Sequence, residues 1–209
     1  MDEIVCIGLF AKKEPKLFSF LFMRANAFEE RKEINFLSSN EDNWIIRDIM
    51  EIRTATIADL AQIAAVEAEC FPAAEAASKK EFAGRIKYYG NHFWLMFEGE
   101  KLIAFVDGFV TDKPDLTDEM YEKAEMHDEN GAWQMIFGVN TIPAYRKHGY
   151  AGQLLQCAIE DARKQGRKGL VLTCKEKLIA YYAKFGFVNE GISESVHGNV
   201  IWYQMRYKF

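Results

Sequence analysis

Residues 146–152 read Arg-Lys-His-Gly-Tyr-Ala-Gly, set between the apolar FGVNTIPAY and the helically spaced QLLQCAIEDARKQG. Two glycines and a cation at the head of a helix suit one chemistry in particular. First-turn N–H groups and the positive end of the helix dipole attract phosphate oxygens. Glycine lets the main chain approach those oxygens with no Cβ in the way. The spacing is not the G-x-x-x-x-G-K-[ST] of a nucleotide P-loop. It also lacks the three glycines and later acidic residue of a dinucleotide fingerprint. On the heptapeptide alone, a tight turn that needs glycine only for its geometry stays open.

The totals narrow the choice. The chain has 209 residues, 49% of them hydrophobic, enough for a substantial core in one domain. A net charge of −5 argues against a general nucleic-acid binder. Cys6, Cys70, Cys157 and Cys174 show no paired spacing and read as reduced thiols. His92, His127, His148 and His197 are dispersed, so no metal site is expected. LFSFLFM (17–23) is far shorter than the roughly 20 apolar residues a bilayer span needs, so no membrane partner is expected and the chain reads as cytoplasmic.

The positioning elements follow from periodicity. Residues 1–49 hold no lasting period, whereas MEIRTA at 50–55 alternates as an opening strand. We therefore expect an N-terminal extension (1–49) and one domain (50–209). Met50 as the functional start and an extension packed on the domain both stay open. Thr56 precedes a helix with Ile57, Leu60, Ile63 and Val66 on its apolar face, and 78–89 reads as a second helix. HFWLMF (92–97) and LIAFVDGFV (102–110) read as strands, and 112–131 as an acidic loop with a short helix. AWQMIFGVN (132–140), apolar on both alternating sets, predicts one strand buried on both faces. A helix over 150–165, a strand at 169–174, a short helix at 176–186 and two closing strands complete a mixed α/β order.

VNTIPAYRKHGYAGQLL, followed by LTCKEKLIAYYAKFGFVNEG, resembles the GNAT superfamily of N-acetyltransferases. The signature [Q/R]-x-x-G-x-[G/A] matches Arg146, Gly149 and Ala151. A tyrosine on a short helix ending in FGF matches Tyr182. The resemblance covers about residues 50–209. LTCKEKLIAYYAKFGF and CFPAAEAAS are similar to the arylalkylamine N-acetyltransferase branch. The resemblance implies a central splayed mixed β-sheet flanked by helices, with acetyl-CoA as co-substrate. Arg146, Lys147, His148, Gly149, Tyr150, Ala151 and Gly152 would grip its pyrophosphate. Its pantetheine arm would enter between the strands at 133–140 and 169–174, pairing with Val139 and Asn140. The connection VNTIPAYR is longer than the family's usual one, which shifts contacts along the loop.

Acetyl transfer to an amine needs a base, because an alkyl ammonium titrates near that of lysine, about 10.4. It also needs an N–H for the charged carbonyl oxygen and an acid for the leaving thiolate. The resemblance makes Tyr182 the acid rather than its neighbour Tyr181, one of the two having to face the core, and the N–H donor is expected near Phe137 to Val139. Vertebrate-type arylalkylamine enzymes carry two histidines where this chain has Trp133 and Met135. Insect-type relatives place a glutamate in the loop after the first helix, which matches Glu75; Glu69 is the second candidate.

Phe71, Trp133 and Gln134 are the expected acceptor contacts. Phe82, Tyr88, Trp94 and Phe97 either join them or fill the core. The acidic run at 118–129 favours a cationic acceptor, His127 within it either reaches the site or stays on the surface, and RKQGRKG (163–169) either meets a coenzyme phosphate or is a solvated helix end. A small aryl- or alkylamine or a polyamine is expected, acted on by a monomer or homodimer. A peptide N-terminal acetyltransferase and a non-catalytic acyl-CoA sensor are the rivals.

Overall fold

A computed structural model describes residues 6–8 and 50–209; the rest of the expected extension lies outside the described residues. Among the described residues, ten strands form two five-stranded sheets. The first runs β1 (Cys6–Gly8), β2 (Met50–Arg53), β3 (Phe93–Glu98), β4 (Lys101–Asp107) and β7 (Gly138–Thr141). The second runs β5 (Val110–Thr111), β6 (Trp133–Ile136), β8 (Gly169–Cys174), β10 (Tyr203–Lys208) and β9 (Val188–Ile192). Helices α1 (Leu60–Cys70), α2 (Lys79–Tyr89), α3 (Asp118–Glu122), α4 (Tyr150–Lys164) and α5 (Ile179–Ala183) flank them. This is the splayed mixed α/β fold expected.

Two expected strands turn out to be broken, at the same level. The run 132–140 ends β6 at Ile136 and restarts as β7 at Gly138, in the other sheet. Its neighbour 102–110 likewise divides into β4 and β5 around Gly108. Close approach of the two chains explains where they break. A Cβ on Gly108 would lie 1.8 Å from Met135 O, and one on Gly138 would lie 2.6 Å from Asp107 Oδ1. β6 stays parallel to β8 (Ile136↔Leu172), while β7 pairs antiparallel with β4 (Val106↔Val139). The two sheets therefore part at Phe137, and a wedge opens between β7 and β8.

The helices pack where their sequence patterns point. α4 buries Leu154, Leu155, Ala158, Ile159 and Ala162, one face at helical spacing, against β3, β4, β7 and β8. α2 starts from a capping box: the Ser78 side chain accepts from Glu81 N–H and the Glu81 carboxylate accepts from Ser78 N–H, an arrangement worth about 1 kcal/mol. A 3₁₀ turn at Ile57–Asp59 precedes α1, so that helix begins at Leu60 rather than at Ile57. Phe82, Trp94 and Phe97 are core residues, and Tyr88 is exposed.

Candidate active site

A cavity of about 350 Å³ fills the wedge. Ile136, Phe137, Gly138 and Val139 form one wall, and Leu172, Thr173 and Cys174 the other. α1 contributes Glu67 and Phe71, the loop after it Glu75 and Ala77, and α5 Tyr182. The β9–β10 connection closes the outer side with Val196, His197 and Trp202. That connection is tied to the rest of the fold at two points and braced by one bond within it. Ser195 Oγ and Val196 N–H donate to the Asp118 carboxylate at 2.5 and 3.0 Å. His197 Nε2 lies 3.1 Å from Glu75 O, and its ring stacks on Tyr121 at 5.3 Å. Trp202 Nε1 donates to His197 O at 2.8 Å. The cavity is thus a pocket with an acidic and aromatic lining rather than an open groove.

Tyr182 is buried at the cavity wall, and burial, with Cys174, Tyr181 and Tyr121 around it, pushes its phenol well above the usual range. It is therefore a neutral O–H donor at physiological pH. Tyr181 is half-buried and packs on Phe185, so of the two tyrosines it is Tyr182 that is buried. Cys174 beside Tyr182 is pushed up to about 11 by burial, which leaves it a neutral thiol.

The carboxylates of the pocket differ in their surroundings. Glu75 Oε1 accepts from Lys175 Nζ at 2.8 Å, and its buried Oε2 has no hydrogen-bond partner. Glu67 was not singled out by sequence. Its Oε1 accepts from Ala77 N–H at 3.1 Å, and its Oε2 has no partner. Burial, then the nearby Asp107, pushes its carboxyl up to about 7. The signal that could have found it is a glutamate four residues before Phe71 on the buried side of α1. Glu69 points to solvent and does not line the cavity. Behind the wall, Arg85 Nη1 and Asp107 Oδ2 make a buried ion pair at 3.0 Å.

At the turn, Gly149 has φ +85°, a left-handed conformation that caps α4, with nothing within 4 Å of where a Cβ would stand. Lys147 is also left-handed, at φ 68°. The first helical hydrogen bond runs from Gln153 N–H to Gly149 O, which leaves the N–H groups of Tyr150, Ala151 and Gly152 at the open helix end. Arg146 Nε holds Thr141 O at 3.0 Å, and His148, stacked on Tyr150, lies 3.3 Å from Tyr145 O. Gly152 answers to packing: its Cβ would lie 2.8 Å from the Phe185 ring. These features fit a pyrophosphate, with open space above bare amides, and the turn heads the helix that backs β7.

Several expected residues lie elsewhere. Phe71 and Val139 line the cavity, but Trp133 and Gln134 do not. Trp133 sits under the Arg206 guanidinium at 4.7 Å, and Gln134 is fully buried, donating to Phe109 O and Met135 O. Both belong to β6 before the break, where the two sheets have not yet separated. Asn140 is buried behind Val139 with neither side-chain atom hydrogen-bonded. Phe137 N–H is taken by Asp107 O at 2.8 Å, which removes it as an oxyanion donor. In the basic cluster, Arg163 stacks on Phe209, while Arg167 is buried on Glu129 and Gly131 O.

Two of the four dispersed histidines converge in one place. His92, His127 and Glu129 hold potential ligand atoms within 4.8 Å of one another. Proton placement opposes a metal there. Val110 N–H donates to His127 Nδ1 at 3.1 Å, so Nε2 carries the proton and donates to Glu129 Oε2 at 3.3 Å. Burial works against the Glu129 charge, but the His92 hydrogen bond and charge hold its carboxyl down at about 2. No helix among the described residues is long and apolar enough to cross a membrane.

Comparison with known proteins agrees with this geometry. No curated protein matches the chain. Among solved structures, the GphF GNAT-like decarboxylase in complex with isobutyryl-CoA is 22% identical with a TM-score of 0.65, over 75% of this chain and 98% of that one. The ribosomal-protein-S18-alanine N-acetyltransferase of Escherichia coli is 19% identical with a TM-score of 0.57, over 76% and 93%. Arabidopsis thaliana Naa50, in complex with a bisubstrate analogue, is 17% identical with a TM-score of 0.58, over 77% and 99%. At these identities the likeness is one of fold. The model of the acetyltransferase (GNAT) family matches residues 59–187, and the chain belongs to that family.

Proposed function

We propose that the protein is an acetyl-CoA-dependent N-acetyltransferase acting on a small primary amine, an arylalkylamine or a polyamine. The observation that carries this reading is a neutral phenol, Tyr182, in the wall of a carboxylate-lined pocket opened by the parting of β7 and β8. The bare amides from Lys147 to Gly152 would hold the pyrophosphate, and the pantetheine arm would run along Val139 and Asn140 toward Tyr182. Phe71, Tyr121, Phe137 and Trp202 offer the acceptor apolar and aromatic faces. Glu75 Oε2 would receive its ammonium. The Tyr182 O–H would protonate the thiolate as the C–S bond breaks. The family and the CoA-bound neighbour support the donor, and the pocket's lining supports the acceptor.

Two of the neighbours are N-terminal acetyltransferases by name, which keeps peptide acceptors as the second reading. The tied-down β9–β10 connection favours small amines over a peptide. A thiol-release assay with acetyl-CoA against tyramine, tryptamine, spermidine and short peptides decides. Turnover on the amines supports the proposal, and turnover on peptides alone replaces it. Acetyl-CoA binding with no turnover on any acceptor replaces it with a sensor. We further propose a cytoplasmic site of action.

A further inference from the structure

Glu67 is the group whose position is not used by the reading above. Its side chain is 6% exposed, lines the cavity, and leaves Oε2 without a hydrogen bond. Such an orphaned buried carboxylate oxygen is costly unless something visits it. Its other oxygen is held by Ala77 N–H, so the carboxylate cannot swing away to solvent without breaking that bond. Behind it lies a compartment of further unmatched polar atoms: both side-chain atoms of Asn140, Asp107 Oδ1 and Arg85 Nε. Asp107 Oδ1 and Asn140 Nδ2 stand 2.6 and 2.9 Å from where a Gly138 Cβ would be, so they flank the bare Cα at the point where the sheets part.

We propose that Glu67 is the catalytic base that takes the proton from the acceptor ammonium, held in place by Ala77 N–H. The inference rests on the N-acetyltransferase reading of the same pocket. The protons balance as follows. R–NH₃⁺ gives one proton to the Glu67 carboxylate, which becomes the neutral acid, and the freed nitrogen lone pair attacks the thioester carbonyl. The C–N bond forms and the C–S bond breaks. The thiolate takes the Tyr182 proton, and the remaining excess proton on nitrogen restores the phenol. Glu67 then returns its proton to water through the cavity mouth, so one proton is released per amide formed.

The groups facing Glu67 suit this task. Asp107 on β4 carries a like charge that disfavours a second anion, Arg85 on α2 partly offsets it, and Asn140 on β7 lies close without a full hydrogen bond. From its own helix Cys70 faces it, as a thiol that burial keeps neutral. Burial and Asp107 together bring the carboxyl up to about 7, where a base is half-loaded at physiological pH. Glu75, with Lys175 on one oxygen, is placed to bind charge rather than to exchange it.

The test is the pH profile of kcat/KM, with acetyl-CoA and an amine that the unmutated enzyme turns over, for the wild type, E67Q, E67D and E75Q. If Glu67 is the base, the wild-type profile climbs about tenfold per pH unit and levels near neutrality, while the substrate is still ammonium. E67Q then loses about 10²-fold or more at the plateau, the range of general base catalysis. Its profile keeps climbing toward the amine's own pKa of about 10, because free amine must be drawn from solution. E67D, with the carboxylate withdrawn by one methylene, keeps the neutral inflection at reduced rate, and calorimetric affinity for acetyl-CoA is unchanged in both variants. E67Q with a wild-type profile, or E75Q with the displaced inflection in its place, overturns the assignment to Glu67 while leaving the activity standing. A wild type that binds acetyl-CoA and turns over no amine overturns both.

Discussion

The Lys175 ammonium lies 2.8 Å from Glu75 Oε1, joining the residue just after β8 to the loop that follows α1. One ion pair therefore pins the β8 wall of the cavity to the loop after α1, with the Glu75 side chain almost wholly buried. The pair fixes the carboxylate and leaves Oε2 turned to the pocket without a partner. On the proposed function, a carboxylate oxygen held in this way would anchor the acceptor ammonium. E75Q should raise KM for the amine about 10- to 100-fold, the scale of one charged hydrogen bond, with a smaller change in kcat. Steady-state kinetics that show kcat falling and KM unmoved would remove the anchor.

Tyr182→Phe keeps the ring that packs on Phe187 and removes only the O–H. Turnover should fall by about 10²-fold or more, in the usual range for general acid catalysis. The affinity for coenzyme A measured by calorimetry should not change, since the pyrophosphate turn is untouched. Turnover equal to the wild type would take Tyr182 out of the mechanism.

Gly149→Val tests the turn. At φ +85° a β-branched residue is strained by at least 1–2 kcal/mol, and its side chain would occupy the open space above the first-turn amides. Coenzyme A binding should weaken tenfold or more. Because the space is open, folding should survive, so calorimetry reads the binding loss directly. Unchanged binding would return the glycine to a purely geometric role.

What the sequence made legible was what local periodicity encodes. The amphipathic face of α4, the helix over 78–89 and the apolar run of β8 are all set by neighbours a few residues away. The break at Phe137 was hidden, because β6 and β7 together read as one apolar run. It depends on Gly108 and Gly138 meeting across two strands, a contact between residues distant in sequence. Trp133 and Gln134, expected at the acceptor as an aromatic and a polar residue of that run, precede the break, where the sheets are not yet apart. Glu67 was hidden differently. Its carboxylate looks like a helix-surface charge until the loop after α1 folds back and Ala77 N–H closes over it.

Glu67 also predicts a stability signature independent of turnover. Its carboxyl is raised from 4.5 to about 7 in the folded protein, by burial first and by Asp107 second. The native state therefore keeps a proton that the unfolded chain gives up in that window. Stability contributed by the neutral form is lost as pH climbs from about 4.5, and the loss levels off above about 7. At the plateau the penalty is on the order of 3 kcal/mol. Glutamine copies the neutral acid, and its Oε1 can still accept from Ala77 N–H. E67Q should thus match the wild type at pH 4.5 and unfold at higher temperature or urea concentration at pH 8, the gap opening across the interval between. An equal gap at both pH values would mean that charge on Glu67 costs the fold nothing. The expected trade, stability gained where turnover is lost, is what a buried group kept for proton transfer rather than for packing should produce.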